Sequence, residues 1–169
     1  MKRVIGHELA QARPFFEQAA EVASRATCRR AKCGAVIVKD NLVIGSGYNA
    51  PPLNDETRRT CDATWDYTKK PKYDLTCCVH AEWRAVIDAC KRHPDKLGGS
   101  VLYFMRVDEN GGFTDAGEPY CTTCSRFTME AGVGEFALWN TNGADIYTLP
   151  EYDRLSYDFY LSDRAASAR

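Results

Sequence analysis

Two short segments, far apart in the chain, have to be brought to one point. The first is His80-Ala81-Glu82, inside the apolar stretch CCVHAEWRAV. The second is Cys121-Thr122-Thr123-Cys124. A carboxylate inside an apolar stretch is costly to bury unless something pairs with it. Residues 79–93 read as a helix, and at about 100° per residue Val79, Trp83, Val86 and Cys90 form its apolar stripe. His80 and Glu82 then fall on opposite flanks of that stripe within the first turn, and do not face each other as an i,i+4 pair would. They can converge beyond the helix end, where free N–H groups and the positive dipole end favour anions. Cys121 and Cys124, spaced i,i+3 behind Pro119, share a face near the start of another helix, where the dipole favours thiolate. One neutral imidazole and two thiolates make three ligands with a fourth position left for water, which is the arrangement of a catalytic zinc.

Bulk properties narrow the function classes. The 169 residues suit a single domain, 1–169, with a real core, and the 44% hydrophobic and 27% charged content is that of a soluble globular chain. The net charge of −1 shows no basic excess, which argues against a polynucleotide partner. The opening MKRVIGHELAQARPFF has no uninterrupted apolar core of a signal peptide, and no apolar run reaches membrane-span length. The expected compartment is the cytoplasm, with no membrane partner. Eight cysteines in such a chain read as metal ligands, catalytic groups or buried apolar residues, not as a disulfide framework.

Along the chain, a helix is expected over 14–26, with Phe15, Ala19, Val22 and Ala23 on one face. Two β-branched runs, 35–38 and 42–44, flank Lys39-Asp40-Asn41 and read as a hairpin. Residues 51–76 read as a long polar loop. Strands are expected at 100–105, 135–139 and 145–149, with a turn-rich excursion over 106–119. A short helix should end at Gly132, and a closing helix over 151–161 places Tyr152, Leu155 and Phe159 at core spacing. This order gives an α/β class, a three-layer α/β/α sandwich around a mixed sheet of about five strands.

His80-Ala81-Glu82 followed by Pro119-Tyr120-Cys121-Thr122-Thr123-Cys124 matches the zinc deaminase signature H-x-E…P-C-x-x-C, in which the glutamate is acid and base and not a ligand. Together with ATCRRAKCGAVIVKDNLVIGSGYNAPP, these motifs make residues 20–140 resemble the cytidine deaminase-like superfamily, closest to the deoxycytidylate deaminases. The resemblance implies zinc held by His80, Cys121 and Cys124, with Glu82 moving the protons of a hydrolytic deamination. The implied substrate is a free cytosine nucleotide, dCMP to dUMP with release of ammonia. It further implies substrate contacts from Asn49 and from the Ala81 backbone N–H, and a homo-oligomer. The chain departs from the family pattern at Tyr120, which separates Pro119 from the first zinc cysteine, at Arg84, where the pattern has asparagine, and at Ala50, where it has glycine. The segment before the zinc cysteines is also longer than usual.

Other roles stand beside these. Arg84, one turn after His80, is a candidate for a substrate phosphate, as are Arg58 and Arg59, each against a solvated or salt-bridged reading. Tyr48 could stack on a base or end a strand in the core. Cys28, Cys61 and one of Cys77 and Cys78 (Cys78 first) are candidates for a second, structural zinc, which some deoxycytidylate deaminases carry; the simpler reading is a set of buried thiols, with Cys33 and Cys90 in the core. Cys121 and Cys124 alone would also fit a redox pair, or a closed structural zinc completed by Cys77 or Cys78. The alternatives to dCMP are another nucleoside or amino-base, such as cytidine, guanine or adenine in nucleic acid, and a non-catalytic nucleotide sensor.

Overall fold

The expected hairpin is present and extends further at both ends. Strand β2 (Lys32–Lys39) pairs antiparallel with β3 (Leu42–Tyr48), and Asp40 and Asn41 turn between them with φ of 50° and 59°. Such left-handed pairs suit asparagine and aspartate and match the twist of the flanking strands. The computed structural model describes residues 1–61, 64 and 77–167, the side chains of 163–167 excepted. The long loop expected over 51–76 therefore lies partly outside the described residues; its first part contains two short 3-10 turns, Pro52–Asn54 and Glu56–Arg58.

The remaining elements are β1 (Lys2–Val4), α1 (Gly6–Ala23), α2 (Ala81–Arg92), β4 (Val101–Val107), β5 (Phe113–Thr114), α3 (Thr122–Glu130), β6 (Glu135–Asn140), β7 (Gly143–Thr148) and α4 (Leu149–Ser167). The strands form one sheet in the order β1-β7-β6-β4-β2-β3, with β5 added on β4. β4 and β6 run parallel and the other pairs antiparallel, so the sheet is mixed. Among the described residues seven strands are present where about five were expected. The two additional strands, β1 and β5, are three and two residues long, too short for an alternating pattern to mark them.

Strand alternation divides the core between the two faces of the sheet. Val36, Val38, Tyr103, Met105 and Trp139 meet Phe16, Ala19 and Ala23 of α1. Ala35, Ile37, Leu102, Phe104, Phe136 and Leu138 meet α2 and α4 on the other face. This is the three-layer sandwich. No helix among the described residues is long and apolar enough to cross a membrane.

Three helices differ from expectation. α1 begins at Gly6, well before Pro14, which sits inside it. An interior proline costs about 3 kcal/mol, but Ala12 and Phe16 on either side of it are buried against the sheet and outweigh that. In α4, Tyr152 is buried and Leu155 packs on the core, whereas Phe159 is 41% exposed. α2 buries Ala81, Glu82, Ala85, Val86 and Ala89, and Cys90 is exposed. The cause is close approach. A β-carbon at Gly47 would collide with the Ala81 carbonyl and Ala85 amide, and one at Gly45 with Ala85 and Ala89. The helix thus rests on β3 through its smallest residues, and Trp83 is left at the edge.

Candidate metal centre and active site

The close contact with β3 fixes where α2 starts. His80 is its N-cap residue, in extended conformation, and Ala81 and Glu82 form its first turn. Cys121 caps α3 in the same way, its sulfur accepting from the Cys124 N–H at 3.2 Å. The two helix starts lie side by side. His80 Nδ1 is 3.0 Å from Cys124 Sγ and 3.7 Å from Cys121 Sγ, and the three ligand atoms all fall within 4.8 Å of one another. Four ligands arranged tetrahedrally on zinc stand about 3.5–3.8 Å apart, given metal distances near 2.0–2.3 Å. The donor set fits a zinc ion, and the His80–Cys121 spacing matches that geometry, whereas the His80–Cys124 spacing is shorter. The sulfurs of Cys121 and Cys124 are also placed as a bonded pair; only the reduced thiols can serve as ligands.

His80 is 9% exposed, and its ring stacks on Trp83 with centroids 5.3 Å apart. Trp83 thus supports the imidazole at the helix edge. Glu82 is 4% exposed, and its side chain lines the same cavity of about 200 Å³ as His80, Ala81 and Asn49. An imidazole, a carboxylate and helix N–H donors thus meet at one small chamber, with two cysteines beside the imidazole.

Asn49 is buried and held on both sides. Its Oδ1 accepts from the Cys33 N–H at 2.9 Å, and its Nδ2 donates to the Ala31 carbonyl at 2.8 Å. It stitches the end of β3 to the start of β2 while presenting an edge to the cavity. Arg84 and Tyr48 sit elsewhere. Arg84 donates to Asn54 Oδ1 at 2.6 Å, to the Pro51 carbonyl at 2.7 Å and to the Ala50 carbonyl at 3.2 Å. It clamps the segment after Asn49 and borders a separate surface hollow, with Tyr48 between its guanidinium and that of Arg25. Arg58 pairs with Asp55, and Arg59 with Glu56 and the Thr27 carbonyl.

The candidates for a second metal do gather. Cys61, Cys77 and Cys78 are buried together with Cys28 packed against them. Cys77 Sγ is 3.0 Å from Cys61 Sγ and 4.0 Å from Cys78 Sγ. A hydrogen bond from Cys78 draws the Cys28 thiol down to about 5, against its burial. Cys77 and Cys78, alternatives for one place in that set, both lie in this cluster.

Comparison with known proteins agrees with this geometry. Residues 9–139 match the family described as the cytidine and deoxycytidylate deaminase zinc-binding region. The chain belongs to this cytidine and deoxycytidylate deaminase family. Zinc is accordingly the metal for which His80, Cys121 and Cys124 are suited. Among curated relatives of the family, the deoxycytidylate deaminase of Mycobacterium phage D29 is 33% identical over 129 residues, covering 70% of this chain and 86% of that one. The deoxycytidylate deaminase of Schizosaccharomyces pombe is 25% identical over 139 residues, covering 79% of this chain; the match spans only 38% of the yeast protein. The dCMP deaminase of cyanophage S-TIM5, solved in complex with dCMP and dUMP, shares the fold at a TM-score of 0.54 and 22% identity, over 79% of this chain and 82% of that one. The cytidine deaminase of Burkholderia pseudomallei shares it at 0.55 and 18%, over 88% and 96%.

One residue of the site went unremarked in the sequence. Arg106 also lines the cavity. It stands on the α2 face of β4 because Leu102, Phe104 and Arg106 alternate with Tyr103, Met105 and Val107. A charged residue where period-two alternation calls for an apolar one was the available signal.

Proposed function

We propose that this chain catalyses the hydrolytic deamination of deoxycytidylate to deoxyuridylate, releasing ammonia. The observation that carries the reading is that His80, grouped with Cys121 and Cys124, lines one cavity with the buried Glu82. The choice of deoxycytidylate is supported by the deoxycytidylate deaminases among its relatives. Zinc, when bound, supplies Lewis acidity that activates water near neutral pH. Glu82 takes the proton of that water and hands it to the ring nitrogen, then takes the proton of the hydroxyl added at the ring carbon and delivers it to the amine as the C–N bond breaks. The Ala81 N–H, at the positive end of α2, donates to the pyrimidine carbonyl, and the free edge of Asn49 meets the sugar. The buried surroundings of Glu82 keep bulk water from competing for these protons.

The test is ammonia release from cytidine, deoxycytidine, their monophosphates, guanine, adenosine and short oligonucleotides. Deoxycytidylate is expected to give the highest kcat/KM. Absence of turnover on every cytosine compound overturns the reading.

We further propose that Cys28, Cys61, Cys77 and Cys78 hold a structural metal ion, a four-thiolate set of the kind that closes structural zinc sites. Their burial as one cluster supports this. Zinc analysis of the reduced protein is expected to give about two ions per chain, falling to about one in Cys61→Ser with the catalytic site still loaded. A constant single ion in both proteins excludes the second site. A reducing cytoplasm is the compartment in which such thiolates persist. Exposed apolar side chains on α3 and α4, among them Phe127, Met129, Phe159 and Leu161, support a homo-oligomer.

A further inference from the structure

Arg106 is a cation without a matching anion. Its Nε is fully buried and has no hydrogen-bond partner. Its Cζ lies 5.3 Å from the Tyr120 ring centroid and 6.0 Å from that of Phe104. Cys33 is its cross-strand partner in register. Burial pushes the thiol of Cys33 up to about 12, so this neighbour supplies no counter-charge. Glu82 acts on Arg106 through space, but among the described residues no carboxylate is in ion-pair contact with it. Taking a guanidinium partly out of water without a counter-charge is unfavourable. A ligand that brings an anion would supply the missing partner.

The cavity wall supplies the rest. Arg106 shares the chamber with Glu82 and Asn49, and Arg30 lines it from an exposed position. Tyr120, the residue that separates Pro119 from Cys121, is what presses a phenol against the guanidinium. The rings of Tyr120 and Phe104, with a side-chain hydrogen bond to Tyr120, hold the guanidinium in orientation at the cavity wall, where it can meet an oxyanion. We infer that Arg106, with Arg30 as a second cation, forms the subsite that receives the phosphate of a nucleoside monophosphate. The inference rests on the deaminase reading given above, and it names the residue that makes the enzyme prefer a nucleotide to a nucleoside.

The full-length, zinc-loaded protein tests it. The measured quantity is the ratio of kcat/KM on deoxycytidylate to that on deoxycytidine, in wild type, Arg106→Gln and Arg106→Lys. Charge-assisted contacts to phosphate predict that Gln lowers the ratio about 10²-fold, chiefly through KM, and that Lys recovers part of it. Arg30→Gln should lower it by a smaller factor. Zinc content and Tm identify variants that have merely unfolded. An unchanged ratio in Arg106→Gln overturns the inference, whether both activities fall together or neither does. Calorimetric titration with inorganic phosphate needs no turnover. Binding by wild type that is lost in Arg106→Gln supports the subsite, and equal binding or none by either overturns it. If no cytosine compound is turned over, the deaminase reading fails while this titration still decides the role of Arg106.

Discussion

Glu82→Gln is expected to keep its zinc and lose turnover by at least about 10²–10⁴-fold, the usual worth of a positioned acid–base group. Glutamine has nearly the same shape, so a side chain only 4% exposed can be replaced without opening a cavity. It also fits the first turn of α2 as well as glutamate does. What it removes is the ability to take the water proton and give it back to the ring nitrogen and the amine. Zinc per chain, Tm and kcat on deoxycytidylate separate the possibilities. Substantial remaining turnover with full metal content would sink the assignment of Glu82.

Cys124→Ala is expected to be as severe for a different reason. Cys124 is fully buried and closest to His80 among the two sulfurs. Without it, an imidazole and one thiolate remain, too few to hold zinc against competition. Zinc should fall by one ion per chain and activity to background. Cys121→Ala should do the same and also lower stability by about 1 kcal/mol, because its sulfur caps α3 by accepting the Cys124 N–H. Full metal content in Cys124→Ala would remove that residue from the ligand set.

The zinc-binding family was legible in the sequence because H-x-E and C-x-x-C at these spacings form a distinctive signature. His80, Glu82, Cys121 and Cys124 announce themselves by residue type alone. Packing is less explicit. The stripe read on α2 follows the larger apolar residues, yet the helix buries its alanines, since the glycines of β3 admit nothing bigger. No periodicity of hydrophobicity reports how near two backbones come. Pro14 was a reasonable helix start on local grounds, but long-range burial of Ala12 and Phe16 decided otherwise. Arg84 sat where a family asparagine was expected and invited a ligand role; its partners proved to be carbonyls of the neighbouring segment. Arg106 was overlooked because it opens a turn-rich stretch, where a single arginine looks like surface.

The contact of Gly45 and Gly47 with Ala81, Ala85 and Ala89 has a mechanical consequence. A joint made almost wholly of main chain has no long side chains to flex, and close-packed interiors transmit strain instead of absorbing it. α2 is in effect a short lever bolted to the sheet, with the reacting groups at its tip. The position of Glu82 is thereby gauged by the strands beneath it, and any added atom at Gly47 would be felt as a displacement of that carboxylate before it was felt as a loss of fold.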